Sequence, residues 1–194
     1  DSEDDDALAL VLRGYSIKGL QATATALQPL LMTYDVLAQQ VDLETRFFLR
    51  KDSTVHPVDP LHLSAHAPGA NVPRKFLLDR GSEMDLPSEV NVAYVDVELD
   101  YQPASERAQR INAVSREVSS VNLPLVLYSD EARHIAGRML WATIPNSTKA
   151  TFHLPLSYGY IREGDTVTFT WSGEDWRILV VRVDRGVGFI LELE

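Results

Sequence analysis

The chain has 194 residues, of which 45% are hydrophobic and 24% charged. That content supports one sizeable domain or two small ones and excludes a low-complexity or compositionally disordered chain. The formal net charge is −10, from 18 basic and 28 acidic residues; this argues against a surface built to hold nucleic acid or anionic lipid, which needs the opposite sign.

No apolar run approaches the roughly 20 residues of a membrane-spanning helix. Cysteine is absent, which removes disulfide frameworks, thiolate zinc sites and cysteine nucleophiles together. The first residues, Asp1-Ser2-Glu3-Asp4-Asp5-Asp6, are the reverse of a signal or transit peptide. The expectation is a soluble globular piece of a larger protein.

Taken in chain order, an acidic lead-in over 1–13 contains the apolar run Ala7–Leu12, and Gly14–Ile17 reads as a short strand. Leu20, Leu27, Leu31 and Tyr34 lie near helical spacing, with Pro29 inside the stretch as a kink or a new first turn. Val36–Val41 and Glu44–Lys51 read as two strands around Asp42-Leu43, the second carrying Phe47 and Phe48 in tandem. From Asp52 to Pro73 five residues of Pro and Gly punctuate the chain, marking a linker, a functional loop or an ordinary surface connection.

Lys75–Leu78 is a strand candidate, and Glu89–Leu99 alternates Val90, Val92 and Tyr94 against Asn91, Ala93 and Val95, the period of a half-buried strand. Residues 104–121 leave helix and strand both open. Asn122–Tyr128 is a strand whose Pro124 suits an edge or a start. Ser129 is placed to cap a helix over 130–144, with Asp130 and Glu131 in its first turn and a stripe of Ala132, Ile135, Ala136, Met139, Leu140 and Thr143. Pro145 should end it. The last fifty residues read as short strands: Thr151–Leu154, Thr166–Trp171 paired with Trp176–Val183 across Ser172–Asp175, and Phe189–Leu193 after the turn Asp184-Arg185-Gly186.

These elements describe an α+β, β-rich chain: a small mixed unit over 14–73, then a curled antiparallel sheet or barrel-like domain over 74–194 with one long helix. No nucleophile elbow, P-loop, dinucleotide fingerprint, HExxH helix or EF-hand loop occurs, so the residues call for no cofactor and name no catalytic group. The only metal-like cluster is His56, His62 and His66 near Asp59, with His62 and His66 spaced i, i+4. Prolines 57, 60 and 68 crowd any helix there, and solvated loop histidines are the plainer reading. His134 on the helix and His153 on a strand read as surface residues or satisfied partners. Trp171 and Trp176 flank a hairpin turn, where they either pack across the strands or anchor a partner or a sugar.

One order of motifs stands out. Asp100-Tyr101-Gln102-Pro103 is followed by Leu123-Pro124-Leu125-Val126-Leu127, then Glu131-Ala132 with Ile135-Ala136, then Leu154-Pro155-Leu156 and Glu163-Gly164-Asp165-Thr166-Val167. This order resembles the phage tail protein domain of tail-tip proteins and of the large host-contact protein of gene transfer agents. Gly14-Tyr15-Ser16-Ile17 with Ala26–Leu30 looks like the helix-containing hub region of such proteins. The resemblance implies a non-enzymatic component of the virion tail, part of a baseplate hub or tail-tip ring around the channel for tape-measure protein and DNA. It implies other tail proteins and further copies of itself as partners, as a homotrimer, with DNA met only in transit. Trp171 and Trp176 would be docking elements. A host-surface or carbohydrate-binding module is the alternative, followed by a cell-wall hydrolase built on paired carboxylates.

Overall fold

A computed structural model describes residues 12–17, 19–20, 22–41, 43–185 and 190–193. The elements are α1 (Thr23–Tyr34), β1 (Val36–Val41), β2 (Glu44–Leu49), β3 (Val55–Pro57), β4 (Leu77–Arg80), β5 (Glu89–Asp96), β6 (Pro103–Gln109), β7 (Val118–Leu127), α2 (Ser129–Asn146), β8 (Thr148–Pro155), β9 (Thr166–Trp171), β10 (Glu174–Leu179), β11 (Val183–Arg185) and β12 (Ile190–Leu193). The α+β, β-rich class holds; among the described residues the sheets are open and none closes into a barrel. No helix among them is long and apolar enough to cross a membrane.

Contacts group the chain into two units, and each is discontinuous. One joins the residues up to Tyr34 with Gly81–Ser147; the other joins Asp35–Arg80 with the chain from Thr148. A cut near residue 73 would therefore part segments that pack together: β3 pairs in parallel with β9, Val55 opposite Thr166.

In the first unit the sheet order is β6-β5-β7. The alternation read in the sequence is realised: Val90, Val92 and Tyr94 turn inward and meet Leu123, Leu125 and Leu127 of β7 and Ala132, Ile135, Ala136 and Leu140 of α2. Residues 104–121, where the sequence left two readings, contain β6 and the start of β7. Their inward positions are small or polar, Ala104, Glu106 and Ala108, so the hydrophobic period is weak there. The pairing of β5 with β7 is parallel and shifts register between Ala93 and Val95, opposite the stretch that holds Pro124.

The strand expected at Gly14–Ile17 is a single bridge, Tyr15 to Leu125. Ser16 N donates to Pro124 O at 3.0 Å and Val126 N to Gly14 O at 3.0 Å. Gly14 is required by proximity, since a Cβ there would lie 2.7 Å from Val126 Cγ2. Residues 1–11 of the acidic lead-in, with most of the run Ala7–Leu12, fall outside the described residues.

Helix α2 begins one residue earlier and ends two later than expected. Ser129 does not cap it; Glu131 Oε2 accepts the Tyr128 backbone N–H at 3.0 Å, and the Ser129 hydroxyl is used elsewhere. Pro145 sits within the last turn, where the missing N–H costs one bond and nothing beyond it needs to continue. Pro29 likewise lies within α1 without ending it.

In the second unit the sheets are β10-β9-β3, β11-β12-β8-β4 and the ribbon β1-β2. Val58, Leu63, Phe152, Leu154, Ile161, Val167, Phe169 and Val180 form its core. Leu63 and Val58 are buried, so the Pro-rich segment 52–73 is anchored to this core at two points, while its Leu61 and Val72 are exposed. The β9–β10 turn is two residues, with Ser172 at φ 55° and Gly173 at φ 82°, so Glu174 pairs with Trp171 and the expected four-residue turn is two residues too long. A two-residue turn of type I′ demands positive φ at both positions, which Gly173 accepts freely.

The packing makes a stability contrast testable. Phe152→Ala empties a site in the second core and should lower the unfolding free energy by about 3–5 kcal/mol. Trp141→Ala, on the outer face of α2 with 62% of its surface exposed, should change it by no more than about 0.5 kcal/mol. Urea titrations of the two variants check both values.

Candidate functional site

In the second unit the Glu163-Gly164-Asp165 turn is a node. Gly164 has φ 90°, and a Cβ there would lie 3.1 Å from the Phe48 ring; one ring of the tandem pair is thereby used, while Phe47 is exposed. The buried Asp165 carboxylate accepts the Arg162 backbone N–H at 2.9 Å and the Gln39 amide at 3.1 Å, and its Oδ2 lies 3.2 Å from His56 Nε2. Three distant segments thus meet on one carboxylate.

The other candidate histidines go elsewhere. His62 Nδ1 lies 2.9 Å from the Tyr158 hydroxyl and His66 Nδ1 lies 3.0 Å from Ser64 O. Among the described residues no three His, Asp or Glu side chains converge as a metal site would require, and the i, i+4 relation of His62 and His66 falls on a short 3₁₀ turn over Pro60–His62 and the loop beyond it, not on a helix.

Trp171 and Trp176 pack against the same ring. Phe76 meets Trp176 at 5.5 Å and Trp171 at 5.9 Å between ring centroids, edge to face, and Lys75 Nζ stands 4.5 Å over the Trp171 ring. Trp176 also lies opposite Phe169 across the hairpin. Both rings are half-buried, so the hairpin end offers a partner only part of each.

The first unit holds a polar network that the sequence reading did not pick out. Asp96, 4% exposed, accepts the Tyr94 hydroxyl at 3.0 Å and the Glu98 backbone N–H at 2.7 Å. Beside it, Glu106 accepts the Ser129 hydroxyl at 2.8 Å and Arg133 Nε at 3.2 Å. The one available signal was that Asp96 falls on the inward phase of an otherwise apolar strand. Burial, together with the bond to Asp96, raises the Tyr94 pKa. The hydrogen bonds from Ser129 and then Arg133 hold the Glu106 carboxyl below its ordinary value, the reverse of what a general acid needs. A groove of about 400 Å³ lies between α1 and β7 in this unit, walled by uncharged residues including Pro29, Met32, Val121 and Leu123.

Three of the acidic groups thus hold local structure: Asp96 and Asp165 fix turns, and Glu106 holds Ser129 at the start of α2. The fold itself is an α+β, β-rich module; its class is set by the family it matches. Residues 22–183 match the model of the family described as "Putative phage tail protein", and the chain belongs to that family, whose place is the virion tail.

Three solved structures share the fold. A protein in the virion of a native gene transfer agent particle is 25% identical, with a TM-score of 0.79 over 94% of this chain and 40% of its own. The 43 kDa tail protein of prophage MuSo2 from Shewanella oneidensis is 13% identical, with a TM-score of 0.57 over 92% of this chain and 55% of its own. The tail protein from Neisseria meningitidis MC58 is 14% identical, with a TM-score of 0.59 over 94% and 56%. The chain thus spans less than two thirds of each of these chains. Among curated proteins none matches.

The lowered Glu106 pKa carries a pH signature. A carboxylate depressed in the folded state stabilises fully above its unfolded pKa of about 4.3 and loses that contribution as pH falls through the lower folded value. The melting temperature of the wild type should therefore exceed that of Glu106→Gln by a constant margin from pH 7 to about pH 5 and converge on it below about pH 4.3. Thermal melts followed by circular dichroism across that range measure the convergence.

Proposed function

We propose that this chain is a non-enzymatic structural component of a tail tip or baseplate hub, forming part of the ring around the channel for tape-measure protein and DNA. In this reading it docks neighbouring tail proteins and works beside copies of itself in a homotrimer. The observation that carries the reading is the match to a gene transfer agent virion protein, with 25% identity and a TM-score of 0.79 over 94% of this chain. The net charge of −10 supports it, because like charge discourages a polyanion from sticking as it passes. The bonding of Asp96, Glu106 and Asp165 to backbone and neighbouring side chains supports a scaffold over a hydrolase.

The test is imaging of purified particles from cells that make the full protein, with composition read by mass spectrometry. The expected result is this chain on the tail axis at the tip, three copies around the channel. Absence from the particles, or a peripheral position away from the axis, overturns the hub reading.

A further inference from the structure

We propose that the turn Leu99–Gln102, at the end of the β5–β6 hairpin, is a docking knob whose Leu99 and Tyr101 side chains enter an apolar pocket rimmed by Lys and Arg on a different tail protein. The inference rests on the reading of this chain as a tail component and adds to it a place and a partner chemistry.

The first observation is backbone strain. Asp100 has φ 53° and Tyr101 φ 60°, and Gln102 N donates to Leu99 O at 3.1 Å, so two consecutive non-glycine residues occupy the left-handed region in one tight turn. Turns of this kind favour Asn-Gly or Asp-Gly; here the Asp is followed by Tyr, a bulky residue for which positive φ is a genuine outlier. The second observation is that the fold makes little use of what that strain presents. Tyr101 is 63% exposed and Leu99 55% exposed, and neither belongs to the apolar core of its unit.

The third observation is that the knob is held in place. Asp96 N donates to Gln102 O at 3.0 Å, Tyr101 N to Asp96 O at 2.9 Å, and Val97 N to Leu127 O at 3.2 Å. The Asp96 carboxylate adds the bond from Glu98 N at 2.7 Å and is itself fixed by the Tyr94 hydroxyl. A pre-organised aromatic anchor loses little freedom on binding, and tyrosines of this kind dominate the energy of many interfaces.

Charge selects the partner. The exposed Glu98 and Asp100 alternate along the chain with Leu99 and Tyr101, and residues 96–105 contain no Lys, Arg or His. A complementary pocket therefore carries basic groups at its rim. Two such knobs meeting face to face would bring carboxylates together, which disfavours a second copy of this turn as the occupant.

Two experiments on the full-length protein in its producing cells test the assignment. In the first, Tyr101→Gly creates the favoured Asp-Gly turn. It should raise the melting temperature of the purified protein by about 2–4 °C while lowering the titre of functional particles about tenfold or more. Ser172→Gly, which relieves a positive φ of 55° in the second unit, should raise stability similarly and leave the titre unchanged. A Tyr101→Gly protein that assembles with wild-type titre overturns the proposal.

In the second, Tyr101→p-benzoylphenylalanine is photo-activated in assembled particles and the cross-linked peptide is sequenced. A cross-link to another tail protein, at apolar residues flanked by Lys or Arg, is the expected result. A cross-link to a second copy of this chain, or none from incorporated protein, overturns the inference alone. Absence of the wild-type protein from particles overturns the tail reading and this inference with it.

Discussion

A carboxylate taken out of water must find donors nearby, and each unit of this protein is arranged around one such group. In the first, Asp96 ends the central strand and collects the Tyr94 hydroxyl and the Glu98 N–H, fixing how the hairpin turns. In the second, Asp165 collects the Arg162 N–H, the Gln39 amide and His56, tying the ribbon, the parallel strand and the turn before β9. An unpaired buried charge is costly enough that these surroundings have few alternatives. The apolar cores supply most of the stabilisation, and the carboxylates select which turns go with them.

Both units are assembled from segments distant in sequence. The strand Val55–Pro57 pairs with residues more than 100 positions later, and the first unit closes by pairing Gly14 and Ser16 with the Pro124–Val126 stretch of β7. Such non-local pairing costs loop entropy before it is rewarded. What repays it is a dense set of large buried side chains, Phe152, Leu154, Ile161 and Phe169 in one unit and Leu123, Leu125 and Leu140 in the other.

The polar cluster at the start of α2 has a structural duty: Ser129 and the exposed Arg133 hold Glu106, and the tryptophans of the hairpin close around Phe76. This economy fits a structural component of the virion tail, the class that the family sets. The chain's exposed apolar side chains, Leu99 and Tyr101 among them, gain interest as contact points. Family membership and this internal economy agree without depending on each other.

Local pattern alone was enough for the strand around Val92, whose period of two is visible in any window, for the stripe of α2, and for the strand pair expected at 36–41 and 44–51, the second of which ends two residues early at Leu49. The order of short motifs was enough for the family. These are short-range properties, carried by neighbours along the chain. What only the tertiary structure decided depends on partners that local sequence does not specify. Residues 103–109 became a strand because β5 offers its edge, although their inward side chains, Ala104, Glu106 and Ala108, are too small or too polar to advertise it. The segment 52–73 is tied to the core because its Leu63 and Val58 find Phe152 and Val167. The three histidines separated because Asp165, Tyr158 and the Ser64 carbonyl each claimed one. The tryptophans turned toward Phe76, a residue whose proximity no spacing announces, and Asp96 found its donors only once the hairpin had closed around it.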